Sequence, residues 1–232
     1  MACSIRKAII DDGMNAELVE TALFDGILEI PIIAPPQETI VPTGMIPFSQ
    51  RNKSTDFSET VVFYEHDTKF REILISSSNF VQDLRRFKGG LVTPDCSVYW
   101  DMPLIAQITN VYRNHALGHF FQHQGIRVYP NVRWGDERSY TTKYFPEKFA
   151  FLGVPKHSIV SVGTYGCISS KEALYHMEAG FESMLETLQP IVVLIYGSLP
   201  QKLLNRFAKE TCLICYPDWI TLKKGGKSNG HN

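Results

Sequence analysis

Short β-rich apolar runs alternate along this chain with longer segments of helical periodicity, and no other feature narrows its possible folds as far. Runs at 61–64, 91–93, 126–132, 159–162, 191–196 and 212–215 read as strands, most of them too apolar to leave one face wet. Helical patterns over 80–87, 102–124, 171–188 and 201–208 supply the layers that would cover such a sheet. Strand, helix and strand in succession impose right-handed crossovers, so the expectation is an α/β fold around a mainly parallel sheet, as an open sheet or an incomplete barrel.

The helix at 171–188 is the best marked, because Leu174, Met177, Phe181, Met184, Leu185 and Leu188 share one stripe. Ser169 and Glu172 fit a capping box at its start, and Pro190 prevents its continuation. Asp101 is placed to cap the helix at 102–124, whose early Pro103 falls in a first turn where a missing amide costs nothing. Upstream, a short helical pattern at 16–24 and an apolar run at 28–33 are cut off by Pro35-Pro36, and the chain stays rich in Pro, Thr, Ser and Gln to residue 56. These features predict an arm at 1–56 packed on or beside a domain at 57–222. Residues 223–232, with their Gly, Lys, Ser and Asn, predict a tail without fixed structure.

A hydrophobic content of 44% across 232 residues is enough for one continuous core. The net charge of -1 gives no long-range attraction to nucleic acid or an anionic membrane, so any nucleic-acid site must be a local patch. The apolar run at 191–196 falls far short of the roughly 18 residues that cross a bilayer. Five irregularly spaced cysteines, with no secretory leader pattern ahead of them, predict a reducing, cytoplasmic location.

In parallel α/β folds ligands bind beyond the carboxyl ends of the strands, where loops and helix N-termini converge. Those ends carry Asp95, Asn131, Arg133, Trp134, Thr164 and Tyr196, a carboxylate, an amide, a guanidinium, a hydroxyl and aromatics in the mixture that pockets use. Asp95 would serve there as general base, nucleophile or metal ligand, or else organise an Asx turn. Arg133 and Trp134 suit a planar anion held by a fork and a stack, or a surface ion-pair cluster with Asp136, Glu137 and Arg138. Arg113 shares its helix with Gln107, Asn110 and Asn114, a stripe that suits a buried network or a bound anion and is equally consistent with a solvated face. His115, His119 and His123 recur at helical spacing but lack a carboxylate or cysteine partner, so a dispensable exposed stripe is expected rather than a metal site. Cys212 and Cys215 lie three apart in a strand and so point to opposite faces. Gly163-x-x-Gly166 is too short for a phosphate-loop fingerprint, though Gly and Ser ahead of a helix can present amides to a phosphate.

Pro94-Asp95-x-Ser97, Asp101-Met102-Pro103, Gln107, Asn110, Tyr112-Arg113, Gly125 and Pro130-Asn131-Val132-Arg133-Trp134 together resemble the domain-of-unknown-function 4417 family. The resemblance continues through Gly163-Thr164-Tyr165-Gly166-Cys167 and Tyr196-Gly197-Ser198, covering 63–218. It implies a phage, prophage or mobile-element setting and a shared site, without a reaction. The expectation is a small enzyme, of hydrolase or transferase type, acting on a nucleotide-like or other anionic small molecule. Asp95 would be catalytic, with Arg113, Asn131, Arg133, Trp134, Thr164 and Tyr196 binding substrate. The rival is a non-catalytic module that binds a host protein or nucleic acid, for example in host-defence interference or element maintenance. A purely structural accessory protein would fill the rim with its own side chains. No cofactor and no oligomeric state are indicated by these residues.

Overall fold

Seven short parallel strands lie side by side in the order in which the chain makes them. The computed structural model describes residues 14–36 and 38–228, with side chains up to 223. A hairpin of β1 (Phe24–Asp25) and β2 (Ile30–Pro31) comes first. One ladder then holds β3 (Met45–Pro47), β4 (Thr60–Val62), β5 (Leu91–Val92) and β6 (Val128–Tyr129), and another holds β7 (Ile159–Gly163), β8 (Val192–Tyr196) and β9 (Cys212–Tyr216). They meet at a bridge between Asn131 and Ser161, where Val132 N–H donates to the Ser161 carbonyl and Ser161 N–H to that of Pro130, both at 2.8 Å. Between the strands run α1 (Arg71–Ile75), α2 (Val81–Arg85), α3 (Leu104–His123), α4 (Glu137–Tyr140), α5 (Lys171–Leu188) and α6 (Gln201–Phe207), and α7 (Trp219–Ser228) follows β9.

The array is curled. Its inner face gathers Val62, Tyr64, Tyr129, Leu194, Tyr196 and Tyr216 into one cluster drawn from both ladders. Tyr64 and Tyr196 stack across this interior with ring centroids 5.3 Å apart. Tyr216 hydroxyl donates to the Pro42 carbonyl at 2.6 Å, so the last strand reaches back to the chain entering the first. Among the described residues no ladder joins β9 to β3, which leaves an open curled sheet rather than a closed barrel. The outer face is covered in two parts. Helices α1 to α3 pack with β3–β6, while α5 and α6 pack with β7–β9 around Phe181, which stacks on Phe207 at 4.3 Å. Met177, Phe181, Met184, Leu185 and Leu188 are buried as the stripe requires, and Leu174 is half-buried.

Several local expectations are corrected. Met45–Pro47 was not legible as a strand, because three residues show no alternation; Pro47 is tolerated since β3 is an edge strand with one side unpaired. The run at 126–132 shortens to β6, because Pro130 lacks the amide that a continuing ladder needs. Ser170, not Ser169, caps α5 by accepting from Ala173 N–H at 3.0 Å, while Ser169 Oγ donates to the Gly166 carbonyl. Asp101 caps nothing: α3 starts after Pro103, whose fixed φ already gives the entry geometry. The helical pattern at 16–24 yields only a 3-10 turn at Ala16–Leu18, because Phe24–Asp25 pairs with β2. Of the tail expected to lack structure, residues up to Ser228 continue α7, and 229–232 lie outside the described residues.

Candidate functional site

Past β5 the chain turns through Pro94 and buries Asp95, 7% exposed, at the carboxyl rim. Its Oδ1 accepts from Asn131 Nδ2 at 2.8 Å and lies 3.7 Å from Arg133 Nε. Asn131 is fixed in turn: its amide donates to Thr93 Oγ1 at 2.9 Å, and its Oδ1 accepts from Tyr64 hydroxyl at 3.1 Å. That hydroxyl shares its proton with Ser161 Oγ at 2.7 Å, and Ser161 Oγ donates to the Leu194 carbonyl. Thr164 Oγ1 donates to the Tyr196 carbonyl, and Tyr196 hydroxyl accepts from Trp219 N–H at 3.0 Å. Five residues chosen from the sequence, Asp95, Asn131, Arg133, Thr164 and Tyr196, thus occupy one rim, tied together through Tyr64 and Ser161.

Those two linkers were missed, and strand parity could have found them. Alternate residues of a strand face one side of a sheet. Val62 and Tyr64 face inward while Val61 and Phe63 join the outer core; Ser161 faces inward between outer Val160 and Val162. A lone serine among apolar neighbours was the visible signal.

Burial pushes the Asp95 carboxyl above the usual carboxylate range, against the opposing pull of Arg133 and the Asn131 hydrogen bond. For Arg133 burial is the largest single influence and disfavours the charge, but Asp95 together with Cys167, Tyr64 and Tyr99 outweighs it and the guanidinium stays charged. The two shifts differ in what wins. A 3.7 Å contact without a hydrogen bond is too loose to repay the carboxylate's lost hydration, so the raised Asp95 is the direction that governs the site. Tyr64 is likewise pushed well up by burial and by Asp95, and remains a donor.

Arg133 also lines a cleft of about 40 Å³, together with Tyr99, Trp100, Gly166, Cys167 and His176. Its side chain is 10% exposed; Nη1 donates to the Gly163 carbonyl at 3.1 Å, and Nε has no hydrogen-bond partner. Asp95, Asn131, Thr164 and Tyr196 are not part of the cleft wall. The rim is therefore largely packed by its own side chains, with one opening at Arg133.

Trp134 is not free to stack on a ligand as expected. Its indole packs against Phe151, Phe181 and Gly180, where any side chain would collide with the ring, and Nε1 donates to the His176 carbonyl at 2.9 Å. Only part of it borders the cleft. Trp100, 41% exposed and stacked on His176 at 6.0 Å, holds the position that a stacking surface needs. Arg113 is displaced from the cleft as well. It donates to Asn110 Oδ1 at 3.0 Å, and Asn110 Nδ2 donates to the Ser97 carbonyl at 2.6 Å. Asn114 accepts from Cys96 N–H, Gln107 donates to the Met102 carbonyl, and Ser97 Oγ donates to Asp67. The amide stripe is a network that holds the loop after β5 in place.

Arg138 pairs with Asp136, whose carboxylate caps α4; Arg133 takes no part in that surface pair. His115 is buried, its Nδ1 3.0 Å from the Pro31 carbonyl, and burial pushes its pKa down to about 4. His119 and His123 flank Thr21 Oγ1 at 3.1 and 3.3 Å. Among the described residues, no three His, Cys, Asp or Glu side chains are grouped to hold a metal ion. No described helix is long and apolar enough to cross a membrane.

The family described as Domain of unknown function (DUF4417) matches residues 22–217, so the match begins well before the motifs at 63. The chain is 29% identical over 174 residues to the Gene 1 protein of Mycobacterium phage D29, covering 74% of this chain and 61% of that protein. It is 32% identical over 137 residues to the Gene 1 protein of Mycobacterium phage L5, covering 59% and 56%. The chain thus spans less than two thirds of either relative. No solved structure matches it.

Proposed function

The chain belongs to the DUF4417 family, and we propose that it is a phage protein that binds a small anionic molecule at the carboxyl rim of its curled sheet and acts on it as an enzyme. One observation carries this reading: the Arg133 guanidinium lines the rim cleft, nine-tenths buried, and its Nε has no hydrogen-bond partner. A buried cation with unsatisfied donors is costly unless an anion completes it. Asp95 stands 3.7 Å behind it, with a carboxyl that burial disposes to hold a proton. An anion that draws the guanidinium outward loosens this contact and frees Asp95 for proton transfer, which is the hydrolase or transferase type of chemistry.

The rival reading, a non-catalytic module for a host protein or nucleic acid, rests on a different feature. Tyr99, Trp100, Tyr165 and Tyr175 are all exposed, and together with His176 they place aromatic surface around or near the cleft. Arg133→Lys separates the two, because a lysine keeps the charge but loses the planar fork. Thermal-shift and calorimetric titration with small nucleotides and carboxylates should show binding by the wild type and at least tenfold weaker binding by the Arg133→Lys variant. Wild-type protein that binds none of these anions, yet retains a macromolecule irrespective of residue 133, would sink the small-molecule reading.

A further inference from the structure

We infer that Tyr64 and Ser161 are positioning residues that act on Asp95 through Asn131, and that the Asn131 side-chain amide reverses when Asp95 takes up a proton. The inference rests on the reading of Asp95 as a proton-transfer group and says how its two states are accommodated.

Asp95, Asn131, Tyr64 and Ser161 are all buried and form one file. Asn131 Nδ2 lies 2.8 Å from Asp95 Oδ1, and Asn131 Oδ1 lies 3.1 Å from the Tyr64 hydroxyl. That hydroxyl is 2.7 Å from Ser161 Oγ, which is 3.3 Å from the Leu194 carbonyl. The file thus has four links but three hydrogens to fill them, one from the amide and one from each hydroxyl. The proton that Asp95 takes up is the fourth.

An ionised Asp95 only accepts, so Nδ2 must face it, and Asn131 Oδ1 then needs the Tyr64 hydrogen. Ser161 donates to Tyr64, and the link to Leu194 is open. A protonated Asp95 donates to the amide oxygen instead. With the amide reversed, Nδ2 donates to Tyr64, Tyr64 to Ser161 and Ser161 to the Leu194 carbonyl, so every link is filled. Each hydrogen stays on its own heavy atom; Asp95 alone has gained one, and the rest turn. The backbone is held while they do so. Asn131 N–H donates to Thr93 Oγ1 at 2.9 Å, and Asn131 and Ser161 face one another across the bridge that joins the ladders.

This polarity gives the two hydroxyls opposite effects on Asp95. Tyr64→Phe leaves Asn131 Oδ1 without a donor when Asp95 is ionised, whereas a protonated Asp95 supplies that donor itself, so the replacement favours the proton. Ser161→Ala removes the acceptor that Tyr64 needs in the protonated arrangement and commits Tyr64 to Asn131 in the ionised one, so it favours the charge. Neither replacement removes a charge. Burial pushes the Tyr64 hydroxyl well up, so it stays neutral, and Arg133, Asp67, Cys96 and Cys167, which share the surroundings of Asp95, are untouched.

The test follows the Asp95 carboxyl carbon by NMR across a pH series in protein carrying isotope-labelled aspartate, the resonance being assigned by its loss in Asp95→Asn. Tyr64→Phe should raise the Asp95 midpoint by at least about 0.5, and Ser161→Ala should lower it by a similar amount, in proteins that remain folded by circular dichroism. In the Tyr64→Phe background Ser161→Ala should have no further effect. The wild type supplies a reading that depends on no variant: the Asn131 Nδ2 hydrogens should show cross-relaxation with Asp95 above the midpoint and with Tyr64 below it. Shifts of the same sign in both variants, or an Asn131 amide that keeps one neighbour at every pH, would overturn the relay. Anion binding at Arg133 is read separately by calorimetry, so loss of the relay leaves the anion site standing. Opposite shifts in a protein that binds none of the anions would keep the relay and sink the small-molecule reading.

Discussion

Removing the Arg133 charge should destabilise the protein in a way that depends on pH, and the size of the effect follows from Asp95. The sequence alone reads Arg133 as an anion-binding residue or a member of a surface ion-pair cluster; the buried contact at 3.7 Å also makes its charge part of the fold. In an Arg133→Met variant Asp95 keeps its burial and its Asn131 hydrogen bond but loses the cation beside it. A buried carboxyl left so is pushed further up than in the wild type and takes up a proton more readily. The unfolded chain titrates near 3.8 and the folded variant higher, so the folded state holds an extra proton above 3.8 and stability falls as pH rises towards the folded value. Leaving one member of a buried ion pair uncompensated costs about 3–5 kcal/mol, a penalty felt at pH 7 that shrinks towards pH 5 as the carboxyl protonates. With a urea m-value of about 2–3 kcal/mol/M, the variant's midpoint should trail the wild type by about 1–2.5 M at pH 7 and by less at pH 5. Adding Asp95→Asn to the variant, which is neutral at every pH, should recover most of the loss at pH 7. Equal losses at both pH values, or no recovery in the double variant, would show that Arg133 stabilises by packing and that Asp95 is not the group it neutralises.

Phe181→Ala should cost about 3–5 kcal/mol, because a fully buried ring stacked on Phe207 and edge-on to Trp134 leaves a cavity between α5, α6 and the sheet; an unchanged urea midpoint would mean that α5 is peripheral. His115 is held neutral by burial with a pKa of about 4, below the ordinary 6.5, so its contribution is present above pH 6.5 and is lost as pH falls towards 4. That loss amounts to about 3 kcal/mol, so a His115→Gln variant should show a flatter acid limb in a pH series of melting curves, and an unaltered limb would place the acid sensitivity elsewhere. The joint replacement of His115 and His119, expected from the sequence to be silent, should lower the melting temperature through His115 while leaving metal content by elemental analysis unchanged.

The parallel sheet was legible because buried strands such as Ile159–Gly163 and Val192–Tyr196 are apolar on both faces and sit between clear helical stripes. Met45–Pro47 was hidden for the opposite reason: its place in the sheet is fixed by pairing with Thr60–Val62, a contact that no local pattern encodes. At the site, Asp95, Asn131 and Arg133 could be picked out by the rule that strand ends converge. Trp134 could not be told from Arg133 by that rule, yet parity separates them. Asn131 and Arg133 reach Asp95, whereas Val132 and Trp134 belong to the outer core. Arg113 was beyond reach, since which side of α3 faces the loop after β5 is settled by long-range packing.

The join between the ladders also bears on how the molecule holds together. Each half of the sheet has its own outer core, but among the described residues the strand ladders are joined by one bridge, at Asn131 and Ser161, with its two amide hydrogen bonds. Arg133 approaches the cleft from one half, and Gly166 with the start of α5 from the other. Two cooperative units that meet at so thin a seam can loosen there before either melts, and exchange of the Val132 and Ser161 amides is the natural gauge of that opening. If the proposed anion binds at this seam it would act as a clasp, and occupancy would be felt as slower exchange along the whole join rather than only where the ligand touches.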